Sequence, residues 1–227
     1  IKMNDKFSRS QIAWRVAQDI KDGDYVNLGI GMPELVVNYI PEGREIVFHS
    51  ENGILGMGPE PHANKIDYDL INAGKKPVTI LPGGAIFHHG DSFGMIRGGH
   101  IDICVMGAFQ VSADGDLANW AAPRSDAVPA VGGAMDLALG ARKVLVMTDH
   151  NTKKGDFKIV DRCTYPLTGL RVVSSVYTDI AVIDIKADGP IVREKIAAVS
   201  FDELQDRTGT SLRGKSTCAE MLAPNLS

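Results

Sequence analysis

The 227-residue sequence has no long apolar run. No stretch approaches the roughly 20 residues that cross a bilayer, which argues against a membrane-spanning helix. Its first residues lack the charged-then-apolar pattern of a secretion signal. Cysteine is scarce: Cys104, Cys163 and Cys218 are an odd, widely spaced set with no CxxC, which argues against a disulfide framework or a zinc ribbon. Cys104 lies in the apolar run Ile101–Met106 and reads as a reduced, buried thiol, so a cytoplasmic location is expected. Positive charge is also short. Lys and Arg total 24 against 28 Asp and Glu, and no basic run stands out, which argues against nucleic acid as a partner. With a net charge of −4, any anionic ligand needs a local positive site.

Several catalytic signatures are missing too. There is no GxSxG elbow and no complete phosphate-binding P-loop; Gly214-Lys215-Ser216 lacks the upstream glycine spacing. Gly29-Ile30-Gly31 follows a strand-like run, but Glu34 stands where a dinucleotide fingerprint needs its third glycine. A tight turn that lets a ligand approach the backbone is the better reading. His88, His89, Asp91 and His100 are metal ligands by type only. Their spacing fits no ligating pattern, so no metal site is expected and a polar role beside a substrate is preferred.

What remains is an alternation of strands and helices. Ser8 and Gln11 have capping-box spacing ahead of Ile12, Val16 and Ile20, with Gly23 as the stop. Tyr25–Leu28, Ile46–Phe48, Pro77–Leu81, Ile101–Met106, Lys143–Met147 and Asp179–Asp184 read as strands. Glu34–Ile40, the run after Gly132-Gly133, and Phe201–Arg207 read as helices. This pattern predicts an α/β fold, a mostly parallel sheet covered by helices, in one domain over 1–227 with residues 1–7 a flexible N-terminus.

Two features carry chemistry. Glu51 sits in Ser50-Glu51-Asn52-Gly53, directly after a buried strand, and a charge beside a core strand is costly unless paired or used. It is either a solvated turn residue or an open carboxylate nucleophile. Gly132-Gly133 opens a short helix whose free N–H groups either pack closely or stabilise an oxyanion.

The ordered set Asn27–Pro33, Ser50–Gly53, Asp69–Lys75, Met95–His100, Gly115–Trp120, Gly132–Asp136 and Tyr165–Gly169 resembles the β subunit of class I CoA-transferases, which move CoA between carboxylic acids. The match covers nearly the whole chain. It implies a three-layer fold like that of CoA-transferases and sugar-phosphate isomerases, an α-subunit partner in an α2β2 heterotetramer, and acyl-CoA and small carboxylic acids as substrates with no permanently bound cofactor. By position it makes Glu51 the nucleophile, with a glutamyl-CoA thioester intermediate, and the Gly133 backbone N–H an oxyanion donor. Asn27, Lys75 and Ala134 become CoA contacts, and Gly53, Gly56 and Gly58 read as clearance for the thioester. Gly83–His89 and Gly107–Ser112 resemble the 3-oxoadipate branch more than the acetoacetate branch, and Ala121–Asp126 departs from the latter's wording. A dicarboxylate acceptor calls for cationic or polar groups, for which His88, His89 and Arg97 are the candidates, and the family implies succinyl-CoA as donor. The alternatives are a β subunit acting on acetoacetate, butyrate or acetate, or an acyl-CoA hydrolase on the same scaffold.

Overall fold

The computed structural model describes residues 6–121 and 130–226. The chain opens with helix α1, Arg9–Asp19, started by the expected capping box: the Ser8 side chain accepts from Gln11 N, and Gln11 returns the bond to Ser8 N. Phe7 is tied down as well, its N–H donating to Asp179 O at 2.7 Å. Strand β1, Tyr25–Leu28, leads through Gly31 into a 3-10 helix, Met32–Tyr39, where the sequence predicts an α-helix over 34–40. β2 is Val47–Ser50, β3 Ile54–Met57 and β4 Ile80–Ile86. The strand expected at 77–81 is therefore displaced toward the C-terminus. Gly84 can enter it because a side chain there would sit 2.9 Å from Leu55 O on β3, so only glycine lets the two backbones meet.

Helix α2, His89–Arg97, precedes β5, Ile103–Gly107. Then follow β6, Gln110–Ser112; β7, Leu117–Ala118; helix α3, Ala134–Gly140; and β8, Lys143–Met147. β9 is Ile159–Val160, β10 Val173–Tyr177, β11 Ala181–Lys186 and β12 Gly189–Lys195. Helix α4, Phe201–Asp206, and β13, Ala219–Glu220, complete the described chain. Sequence periodicity locates α4 well because Ser200 and Glu203 form a second capping box.

Among the described residues, ten strands form one sheet in the order β13-β12-β11-β10-β8-β5-β1-β2-β3-β4. The central strands β10, β8, β5, β1 and β2 are parallel, and antiparallel strands extend both flanks. A small sheet, β7-β6-β9, stands apart. Continuous apolar runs mark the parallel strands because both of their faces are covered: Val26, Cys104, Val105, Val144, Val146 and Val176 are fully buried.

The topology dictates where a ligand can bind. From β1 the chain crosses to β2 on one side, and from β5 it crosses to β8 on the other. Right-handed crossovers running in opposite directions place their connections on opposite faces of the sheet. The contacts agree, since α1 packs on the 3-10 helix and α2 packs on α3. Between β1 and β5 the winding reverses, and a crevice opens beyond their C-terminal ends.

Candidate active site

A cleft of about 550 Å³ occupies that crevice. Its floor is Leu28 and Gly29 after β1, and Met106, Gly107 and Ala108 at the end of β5. Gly29 lies close enough to β5 that a side chain there would be 3.0 Å from Val105 O, and Gly31 turns the chain at φ +92°.

Glu51 stands on one wall, at the tip of the β2–β3 hairpin. The turn closes through Gly53 N to Ser50 O at 3.0 Å. Opposite lies the Gly133 cap of α3. A Cβ built on Gly133 would be 2.4 Å from Glu51 Oε2 and 2.8 Å from Phe93 Cζ, so the carboxylate rests against bare backbone. Two residues far apart in sequence thus meet at one point. Among the described residues, no group donates a hydrogen bond to the Glu51 carboxylate and no cation pairs with it. Burial, with a smaller contribution from Asp136, raises its pKa above the ordinary carboxylate value.

Beneath the hairpin runs a buried hydrogen-bonded row. Asn27 Nδ2 lies 3.0 Å from His49 Nδ1, and His49 Nε2 lies 2.7 Å from Ser92 Oγ. Ser92 Oγ in turn donates to Ser50 O at 3.4 Å. Burial pushes the His49 imidazole down to about 4, so it is neutral at physiological pH. The row ties β1, β2 and α2 together directly under Glu51. Sequence reading picks out Asn27 but not His49, whose neighbours on β1 and α2 no linear pattern discloses.

The remaining candidates separate. Ala134 lines the cleft beside Gly133. Lys75 is exposed, in a left-handed turn at φ +63°, and does not line the cleft. Its loop does reach the site, because Ala73 lines the cleft and its N–H donates to Ser50 Oγ at 3.0 Å. The neighbouring Lys76 is occupied by Glu34 at 2.8 Å, and Glu34 also accepts from Gly31 N. The residue that breaks the dinucleotide fingerprint therefore braces the loop after β1 against the lysine turn.

The structure does not bring His88, His89 or Arg97 into the cleft. His88 caps α2, its Nδ1 accepting from Gly90 N at 3.0 Å. His89 packs edge-on to Phe93, and Arg97 pairs with Asp136 at 2.7 Å. The glycines after Glu51 also serve a different purpose from thioester clearance. At Gly53, φ +110°, a Cβ would strike Phe87 O at 2.1 Å. At Gly56 it would meet Gly84 Cα at 2.8 Å, and at Gly58 Thr79 Oγ1 at 2.4 Å. They let β4 and the segment before it close on the hairpin. Of the stretch 121–126, residues 122–126 lie outside the described residues.

Two cationic residues of the cleft have no counterpart in the sequence reading: Arg9, in the first turn of α1, and Lys158, just before β9. Nothing linear marks them, because only the strand order carries them to the cleft.

Comparison with known proteins agrees with this geometry. The family model described as "Coenzyme A transferase" matches residues 9–206. The chain is 58% identical over 207 residues to one of the two kinds of chain in the 3-oxoadipate CoA-transferase of Acinetobacter baylyi, covering 91% of this chain and 95% of that protein. It is 46% identical over 200 residues to the equivalent chain of the succinyl-CoA:3-ketoacid coenzyme A transferase of Helicobacter pylori, covering 88% and 96%. Identity to the beta chain of acetate CoA-transferase from Escherichia coli is 51% over 175 residues, covering 77% and 79%. Among solved structures, glutaconate coenzyme A-transferase from Acidaminococcus fermentans superposes with a TM-score of 0.71 at 18% identity, over 96% of this chain and 90% of that one, a likeness of fold alone. On the extent of the family match and these identities, the chain belongs to the coenzyme A transferase family, as a class I β-type subunit.

Proposed function

We propose that the chain, as one domain and paired with an α subunit in an α2β2 assembly, moves CoA from succinyl-CoA to 3-oxoadipate through Glu51. The observation that carries the reading is the Glu51 carboxylate, stripped of partners and held against the Gly133 backbone at the switch-point cleft. The choice of acceptor rests on identities of 58–59% to 3-oxoadipate enzymes against 46% to 3-ketoacid enzymes.

The chemistry follows from the carboxylate. Ionised Glu51 attacks the thioester carbon of the acyl-CoA, forming an acyl–glutamyl anhydride and expelling CoA thiolate. The thiolate then attacks the glutamyl carbonyl. This releases the first acid and leaves a glutamyl-CoA thioester. The acceptor's carboxylate attacks that thioester, expelling CoA thiolate and forming a second anhydride. The thiolate attacks the acceptor's acyl carbon, giving the new acyl-CoA and restoring Glu51. Each addition puts negative charge on a carbonyl oxygen, and the Gly133 N–H beside Glu51 is a preorganised donor for it.

Asn27 in the cleft and Lys75 at its rim contact CoA in this reading, Asn27 the pantetheine arm and Lys75 the anionic end; Ala134 flanks the oxyanion donor. Both covalent intermediates hydrolyse readily, so the α subunit closes the cleft against water. CoA is a substrate and no cofactor stays bound. The three free thiols, with Cys104 fully buried, support a reducing compartment, the cytoplasm. Initial-rate kinetics with the α subunit test the reading. Parallel double-reciprocal lines, with 3-oxoadipate preferred over acetoacetate, are expected. Hydrolysis outrunning transfer at saturating acceptor would assign the scaffold to a hydrolase instead.

A further inference from the structure

Across the cleft from Glu51 lies a positive site that the chemistry above does not use. Lys158 Nζ donates to Thr148 Oγ1 at 2.7 Å, and Thr148 Oγ1 donates on to Ala108 O at 3.3 Å. An ammonium has three protons to give, and among the described residues this is the only hydrogen bond it makes. No described carboxylate comes within 4 Å of it. Asp149 and Asp179 are nearby, but Asp179 already accepts from His150 N at 2.7 Å and faces Lys6 at 3.8 Å. Arg9 adds a second positive charge close to Lys158, and among the described residues it forms no ion pair. Arg9 is also electrostatically misplaced, in the first turn of a helix with no acidic residue there, where the dipole disfavours a cation. Two cations that repel each other, one of them half-buried and fixed by a threonine, are a poor arrangement for stability alone. They make a site for an anion.

The strand order fixes where that anion lies. Glu51 follows β2, and Thr148, which holds Lys158, follows β8; β1 and β5 run between them. The two walls are thus three strand spacings apart, about 14 Å from backbone to backbone before either side chain reaches inward. The floor between them is apolar, formed by Leu28, Met106 and Ala108. A carbonyl carbon at Glu51, a short methylene chain over that floor and a terminal carboxylate at the far wall fit this order of surfaces.

We propose that Lys158, assisted by Arg9, binds the distal carboxylate of a dicarboxylic acyl group and so selects diacids over monoacids. The proposal rests on the transferase reading above and names the part of the acyl site that it leaves open. The Lys158 ammonium gives charge-assisted hydrogen bonds to the carboxylate oxygens, and Arg9 closes the site from the α1 side. His88, His89 and Arg97, capped, stacked or paired outside the cleft, have no part in it.

The test compares kcat/KM for 3-oxoadipate with kcat/KM for acetoacetate, which lacks the second carboxylate, in the complex with the α subunit. The ratio cancels any loss of folded enzyme. In Lys158→Gln the ratio of diacid to monoacid should fall roughly 10- to 100-fold, the usual worth of a charged hydrogen bond. Arg9→Gln should lower it less, and Lys158→Arg should recover part of it. If both Gln variants keep the wild-type ratio, the proposal fails and the transferase reading stands. If the loss instead appears as a raised KM for acyl-CoA whichever acid is used, the pair binds CoA phosphates and the proposal is overturned. If the wild-type enzyme shows no preference for the diacid, the proposal falls together with the choice of acceptor.

Discussion

Asp19 and Glu51 are both carboxylates drawn away from water, and the fold treats them in opposite ways. Asp19, at the end of α1, accepts from Arg15 at 2.8 Å, and from Tyr177 Oη and Arg193 at 2.5 Å each. Burial alone would raise its pKa, but the hydrogen bonds from Tyr177 and Arg15 take it below the ordinary value. Glu51 accepts nothing among the described residues, and burial drives its pKa the other way. The contrast separates a structural carboxylate, whose negative charge is spread over donors, from one left with its electron pairs available. A nucleophile needs the second environment, and stability favours the first.

The largest expected effect lies at the bare carboxylate. Glu51→Gln should reduce CoA transfer by at least about 10⁴-fold, the scale seen when a covalent nucleophile is removed, with the melting temperature at pH 7 unchanged or higher. The sign of the stability change follows from the raised pKa. Ionised Glu51 opposes folding once the pH rises through its folded-state value, and the amide removes that cost. Asp19→Asn should show the reverse. Transfer should stay within about twofold of wild type, while breaking the buried ion pairs costs about 3 kcal/mol, read by calorimetry as a melting temperature about 10 °C lower. If Asp19→Asn inactivates the folded enzyme, the division between the two carboxylates is wrong.

Gly133→Ala tests how tightly the bare site is built. The new Cβ would press on Glu51 Oε2, and a displacement of this order costs about 100-fold in kcat. Far-ultraviolet circular dichroism should be unaltered.

The pH dependences are the gentlest probes. Glu51 must be ionised to attack, so the acid limb of kcat/KM should sit above the ordinary carboxylate range and vanish from the residual activity of Glu51→Gln. Stability should decline separately, through His49 and His150, both held neutral by burial with values of about 4 against 6.5 when unfolded. Their contribution is complete above pH 6.5 and is lost as the pH falls toward 4. Denaturant titration should show roughly 1 kcal/mol lost per histidine between pH 6.5 and 5.5.

What could be read without coordinates follows from the range of each interaction. The capping boxes at Ser8 and Ser200 and the apolar runs of β1, β5 and β8 are local or continuous signals, and they appear where the sequence puts them. β4 is displaced because its backbone is chosen by the close approach to β3 that Gly84 permits, not by its own apolar content. Glu51 and Gly133 were legible as separate suspects, an open acid and a glycine-opened helix. Their contact belongs to the tertiary fold, and so do the His49 row and the placing of Lys158 across the cleft. His88, His89 and Arg97 attract attention by residue type, yet their side chains are engaged by local partners on α2 and α3.

The central claim, that Glu51 is left bare in order to carry CoA, is open to direct measurement. The chain is mixed with its α subunit and an acyl-CoA, with no acceptor acid, and the peptide containing Glu51 is analysed by mass spectrometry. The account predicts a CoA adduct on Glu51 that hydroxylamine removes and that Glu51→Gln never forms. A wild-type enzyme that turns over without any adduct at Glu51, or that carries CoA on another residue, would contradict it.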